Sequence, residues 1–289
     1  MFAIAVEEPQ YKTYILEDKG VPSRLTIVPE RGGMITSWQV QGQEMLYLDT
    51  ERFQDASLSV RGGIPILFPI CGNLPENIYT HNRQTYHLKQ HGFARTLPWE
   101  VTDQSTSDAA SLTVALKSNA TTRKAYPFDF MVSFTYVLRG NTLELRQRYT
   151  NHSPEPMPFS TGIHPYFAVA DKGQLTFDLP STQYKIKGEN QIYPFNGTFD
   201  FEQDEIDFAF FDLSQSTATV NDASRNLKLT LNYDGHYSTL VFWTVKGKDF
   251  YCLEPWSSPR FALATGEKLL QAAPGTTVET VIRMMVNMA

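Results

Sequence analysis

The chain has 289 residues, 42% hydrophobic and 13% aromatic, and a formal net charge of -6. This is a globular composition with ample material for a core, and its scattered Lys and Arg form no basic run that would track a nucleic-acid backbone. No apolar run approaches the ~20 residues of a membrane span, and two cysteines, Cys71 and Cys252, are too few for a disulfide framework.

The first informative stretch, 61–99, is irregular and crowded with Gly, Pro, His and Arg. Beyond it the pattern turns to period two. Leu112, Val114 and Leu116 alternate with Ser111, Thr113 and Lys117, the mark of a half-buried strand with one wet face. Residues 130–138 (FMVSFTYVL) are β-branched and aromatic, as strands prefer. Arg139-Gly140-Asn141 then reads as a hairpin turn. The stretch 184–212 is predicted as a loop and is acidic up to Asp207. Leu227, Leu229, Leu231 and Tyr233 alternate with polar residues, and Asp234-Gly235 reads as a second hairpin turn. Residues 238–244 (STLVFWT) form another strand-like run. In the last strand Val278, Thr280, Ile282, Met284 and Val286 share one side. No long 3.6-period segment and no strand–helix alternation occurs. The expected fold is all-β, one large antiparallel β-sandwich forming a single domain over 1–289.

Four segments carry candidate chemistry. In Phe159–Phe167, His164 precedes Pro165, which holds its backbone extended, while Gly162 allows close approach of a neighbour or a ligand. A hydrogen-bonded structural histidine fits this stretch equally well. Glu254 likewise precedes a proline, and in a strand it shares a face with Phe250 and Cys252. Burial there would raise its pKa towards neutrality, as a general base needs; a solvated strand-end glutamate is the alternative. His91 and Arg95 lie in HGFAR. With His87, His91 gives H-x3-H, but Gly92 and non-helical flanks argue against a metal site, so no metal is expected. Arg61-Gly62-Gly63 reads as a turn or as an arginine fork for phosphate or adjacent hydroxyls. Of the four tryptophans, Trp256 is assigned to the site, and Trp38, Trp99 and Trp243 to the core. Cys252 reads as a small buried core residue.

Taken together, PILFPICG at 65–72, HGFAR at 91–95, GIHPYF at 162–167, EID at 205–207 and CLEPW at 252–256 make the chain resemble the aldose 1-epimerase (galactose mutarotase-like) superfamily from about residue 20 to the end. RGGIP with HGFAR is similar to the hexose-6-phosphate 1-epimerase branch, and PILFPICGNL is similar to the LacX-like branch. The phosphate branch's tryptophan- and Phe-Gly-rich continuation after Pro69 is missing. The resemblance implies a β-supersandwich and acid–base interconversion of sugar anomers, with no metal or other cofactor. It implies His164 as general acid, Glu254 as general base, and His91 on a ring or anomeric oxygen. Asp207 would meet sugar hydroxyls, with Arg61 and Arg95 near the substrate.

The implied partner is a small sugar or sugar phosphate, with neither nucleic acid nor membrane. A monomer is the default. The N-terminus MFAIAVEEPQ lacks signal-peptide features, so a cytoplasmic location is expected. Two rival readings stay open: a non-catalytic carbohydrate-binding protein on the same sandwich, and a glycoside hydrolase or polysaccharide lyase. In a hydrolase Glu254 and Asp207 would be the carboxylate pair, which hydrolysis usually wants ~5–9.5 Å apart.

Overall fold

The period-two segments become strands of two eight-stranded sheets in the computed structural model, which describes residues 1–288. The first sheet runs Leu175–Asp178, Thr217–Asp222, Leu227–Tyr233, Thr277–Met288, Thr142–Asn151, Phe130–Arg139, Ala110–Lys117, Glu100–Ser105. The second runs Ile192–Pro194, Gln183–Ile186, Glu205–Phe210, Thr239–Val245, Phe250–Trp256, Gly162–Ile163, Ile66–Leu67, with Tyr166–Ala168 also paired to Phe250–Trp256. A five-stranded meander, Phe2–Glu7 to Gln43–Glu44, precedes them. Neighbouring strands within these sheets pair antiparallel.

Alternation translates directly into burial. Phe130, Val132, Phe134, Tyr136 and Leu138 are buried while the residues between them are half-exposed. Leu227, Leu229, Leu231 and Tyr233 repeat the pattern. These faces join Leu240, Phe242, Tyr251, Leu253 and the meander's Leu25, Ile27 and Trp38 in one buried cluster between the sheets. Burial of this apolar surface, at roughly 25 cal/mol per Å², is the main force holding the layers together.

The turn at 139–141 closes a hairpin in which Arg139 pairs with Thr142, with Gly140 at φ 56°. Asp234-Gly235 corrects the expectation. Leu227–Tyr233 pairs with Thr217–Asp222 and Thr277–Met288, whereas Thr239–Val245 belongs to the other sheet. Asp234 makes a crossover between layers, its carboxylate accepting from the Val281 amide at 2.6 Å. The local turn signal is the same for either destination. The acidic stretch 184–212 also differs from expectation, because it contains Ile192–Pro194, Glu205–Phe210 and most of Gln183–Ile186. Asp207 therefore stands on a strand of the second sheet, opposite Trp243. Among the described residues no helix is long and apolar enough to cross a membrane.

Candidate active site

One face of the second sheet is turned away from the core, and the period of two sorts its residues. Ile206, Phe208, Leu240, Phe242, Tyr251 and Leu253 point into the core. Glu205, Asp207, Val241, Trp243, Glu254 and Trp256 line a cleft of about 290 Å³ on the other side. His164 and Tyr166 join them from the adjoining chain segment, while Arg61, Gln90, His91, Lys187 and Arg260 arrive on loops and Arg52 and Arg95 on the short helical turns Thr50–Gln54 and Ala94–Thr96. All seven sequence-selected residues, Arg61, His91, Arg95, His164, Asp207, Glu254 and Trp256, thus border one cleft.

His164 and Glu254 meet through strand register. Gly162 pairs with Trp256 and Tyr166 with Cys252, so residue 164 stands opposite residue 254. Pro165 and Pro255 have no N–H to give, and the ladder is interrupted between those two pairs. His164 Nε2 lies 3.3 Å from Glu254 Oε1. The close approach depends on Gly162, where a Cβ would come within 2.7 Å of the Pro255 carbonyl oxygen. Glycine serves the neighbouring strand here.

Both groups are enclosed, with Glu254 1% and His164 8% exposed. Burial pushes the Glu254 carboxyl well above its ordinary range, and the charge of Asp207 adds to this. The Trp256 indole, donating to Glu254 Oε2 at 3.1 Å, opposes the shift together with Arg260 and Arg95. Burial pushes His164 down to about 3, helped by Arg95 and Arg260. The imidazole pKa lies well below neutrality because burial strips most of its solvation and two guanidiniums stand close. It stacks on Tyr166 with centroids 4.7 Å apart, and its Nδ1 is buried with no hydrogen-bond partner among the described residues.

His91 is held at φ 65° by a reciprocal link, its amide donating to the Gly72 carbonyl at 2.7 Å while the Gly72 amide donates to His91 Nδ1 at 3.1 Å. That acceptor role puts the ring proton on Nε2. Burial keeps the ring neutral by pushing its pKa well down. The Gln90 amide, 3.2 Å from Nε2, then has to present its oxygen. His91 stands edge-on to both His164 and Trp256, with ring centroids 5.5 Å apart in each case.

Asp207, 8% exposed, is gripped by Arg260 at 2.7 and 2.9 Å and by Lys187 at 3.3 Å. The Arg260 guanidinium also lies 5.1 Å from the Trp256 ring centroid, and its Nη1 is buried with no hydrogen-bond partner among the described residues. Arg95 donates from Nη2 to the Gln90 carbonyl at 3.0 Å, and its buried Nε has no hydrogen-bond partner among the described residues. Arg61 is exposed at the cleft edge.

Several lining residues escaped the sequence reading. Trp243 belongs to the cleft as well as the strand, its indole donating to Glu205 at 2.6 Å. Its place beside Cys252 and Asp207 on paired strands was the available signal, but only once register is known. Tyr166 is two residues from His164 and so shares its face. Arg52, Lys187 and Arg260 carry no local signature. Among the described residues, the group with metal-ligand spacing is His164, Cys252 and Glu254, their ligand atoms within 4.8 Å, rather than the H-x3-H pair. Burial pushes the Cys252 thiol well up, with Glu254 adding to the shift, which keeps it an S–H group.

A large antiparallel β-sandwich with an enclosed imidazole–carboxylate pair beneath a polar cleft of about 290 Å³ defines a class, the β-sandwich proteins equipped for acid–base chemistry. The sequence profile of the aldose 1-epimerase family matches residues 22–277, and the chain belongs to that family. A solved structure of the Slr1438 protein from Synechocystis sp. PCC 6803 superposes with a TM-score of 0.95, at 46% identity, covering 100% of both chains. The plasmid-borne LacX protein of Lactococcus lactis subsp. lactis is 24% identical over 90% of this chain and 89% of its own. A protein from Cenchrus ciliaris, provisionally named a glucose-6-phosphate 1-epimerase, is 26% identical over 84% of this chain and 76% of its own. Galactose mutarotase-like structures share the fold.

Proposed function

We propose that this isomerase interconverts the α and β anomers of an aldohexose carrying a 6-phosphate, acting as a single domain over its whole length. The observation that carries the reading is the enclosed pair itself, His164 Nε2 3.3 Å from Glu254 Oε1 in a cleft of about 290 Å³.

Mutarotation requires one proton to leave the anomeric hydroxyl while another reaches the ring oxygen. The C1–ring-oxygen bond breaks, the aldehyde forms, rotation about C1–C2 exposes its other face, and closure returns both protons. Glu254 takes the hydroxyl proton and His164 supplies the ring oxygen, exchanging roles on closure. In the enclosed pair burial favours the uncharged forms, a carboxylic acid at Glu254 and an imidazole at His164; the working carboxylate and imidazolium are the same pair with that one proton moved across the 3.3 Å between them. The Trp256 indole fixes which Glu254 oxygen is free to act, since Oε2 already accepts from it. His91 turns its Nε2–H from the Gln90 amide to the ring or anomeric oxygen of the bound sugar, and Asp207, held by Arg260, accepts from sugar hydroxyls.

The phosphate assignment rests on charge placement. Arg260 and Lys187 are committed to Asp207, whereas Arg52, Arg61 and Arg95 have no carboxylate partner within salt-bridge distance among the described residues. Their forks match a phosphate dianion. NMR anomer exchange on glucose 6-phosphate and free galactose, run side by side with folded protein, tests the reading. Acceleration with preference for the phosphorylated sugar is expected. Sugar binding with no acceleration of either exchange would reject catalysis in favour of a carbohydrate-binding protein, and equal acceleration would reject the phosphate assignment.

A further inference from the structure

The segment 49–61 brings Arg52, Ser59, Val60 and Arg61 to the cleft wall. Its base is closed by the Leu48–Gly62 bridge and by the Asp49 amide donating to the Arg61 carbonyl at 2.9 Å. Farther out it has little beneath it. Residues 54–59 are all exposed, and behind them lies a second cavity of about 410 Å³, bordered by Ala56–Val60 on one side and by Arg31 and Phe93 among others on the other. Packing on the core therefore does not set the position of this part of the chain.

A buried guanidinium fastens it instead. Arg31, 9% exposed, donates from Nη2 to the carbonyls of Arg52, Asp55 and Leu58 at 3.3, 3.2 and 3.4 Å, and from Nη1 to that of Ala56 at 3.5 Å. The guanidinium lies 5.7 and 5.8 Å from the ring centroids of Tyr11 and Phe53. Gln10 and Tyr11 tie the segment at the Gln54 carbonyl, and the Tyr11 ring stands edge-on to Phe53 with centroids 5.6 Å apart; none of these contacts reaches residues 55–60. Within the segment, Arg52 Nε donates to the Ser59 carbonyl at 3.1 Å, so anchoring the 52 carbonyl also steadies the stretch that ends at Arg61. A lysine offers a single nitrogen and cannot fan across four carbonyls.

We infer that Arg31, which does not itself line the cleft, is a positioning residue: it fixes segment 52–58 and thereby the place at which Arg52 and Arg61 meet the substrate. The inference rests on the reading that this wall receives the anionic end of the sugar.

The test compares full-length R31M and R31K with the unaltered protein by amide hydrogen exchange over 52–60 and by kinetics on glucose 6-phosphate and a free hexose. R31M is expected to speed exchange across the segment and raise KM for the phosphorylated sugar about 10-fold, as loss of one charge-assisted hydrogen bond would. Turnover number should stay within about 3-fold and KM for the free sugar should hold. R31K, which keeps the charge without the fan, should fall between; it carries the test alone should R31M not fold. Unchanged exchange overturns the inference. So does a loosened segment with unaltered kinetics, or an equal fall in turnover number on both sugars. If the unaltered protein does not distinguish the two sugars, the phosphate reading fails by itself. Arg31 is then judged on segment exchange and on KM for the sugar that is turned over.

Discussion

His164 stands opposite Glu254 across an antiparallel register that runs from the Gly162–Trp256 pair to the Tyr166–Cys252 pair, with Nε2 3.3 Å from Oε1. Each residue is followed by a proline, and the two prolines, lacking N–H groups, fall where the ladder is interrupted. The ladder between these two segments thus opens where the two side chains face each other, while His164 N–H donates to the Pro65 carbonyl at 3.0 Å and Glu254 stays paired with Val241 on its other side.

Removing either proton carrier is expected to lower the anomer exchange rate by ~10²–10⁴-fold while leaving the fold intact. Glu254→Gln keeps volume and one acceptor; His164→Asn keeps a polar side chain. Exchange spectroscopy with a parallel circular-dichroism melt checks this, and near-normal turnover in both folded variants would reject the assignment.

Stability should respond to pH through the same pair. The Glu254 carboxyl is raised in the folded protein, so its contribution is full below the ordinary carboxyl pKa and is lost as pH rises. His164 is lowered to about 3, so its contribution is full above the ordinary imidazole pKa and is lost as pH falls towards 3. Glu254→Gln removes the first dependence only. Its unfolding free energy relative to the unaltered protein, read from chemical denaturation, should rise from pH 5 to pH 8, with a slope of at most ~1.4 kcal/mol per pH unit. A constant difference would show that Glu254 is not raised.

Arg260 and Asp207 should behave as one unit. Arg260→Met leaves Asp207 with only half-exposed Lys187 as ion-pair partner, and removing one member of a buried pair costs about 3–5 kcal/mol, less here because the site borders the cleft. Adding Asp207→Asn should recover part of that loss. Additive losses in the chemical-denaturation cycle would reject the coupling.

Gly162→Ala tests the close approach. A methyl 2.7 Å from the Pro255 carbonyl and 2.9 Å from the Trp256 ring must push the two segments apart. The expected cost is ~1–3 kcal/mol, together with a loss of turnover from the widened His164–Glu254 gap, read by melts and exchange kinetics. A stable, fully active variant would show that the approach can relax.

Arg61→Ala and Arg95→Ala should each raise KM for the phosphorylated sugar by ~10-fold or more and spare the free one, since hydrogen bonds to charged groups contribute ~1.5–3 kcal/mol. Equal losses on both sugars would reject phosphate contact.

The sequence by itself determined what local pattern can carry. Period-two alternation at 112–117, 130–138 and 227–233 is a property of consecutive residues, so sheet, wet face and core face follow from it. His164, Glu254 and His91 lie in short motifs whose prolines and glycines constrain their own backbone. The tertiary structure decided what depends on partners distant in sequence. The Asp234-Gly235 turn leads to the other sheet because burial of both strand faces settles pairing, and a turn dipeptide contains no record of its destination. Arg260, 53 residues from Asp207, and Arg31, whose donors reach carbonyls from Arg52 to Leu58, gain meaning only through the groups they meet. The low pKa of His164 is likewise invisible in GIHPYF, since it comes from burial and from guanidiniums brought in by separate chain segments.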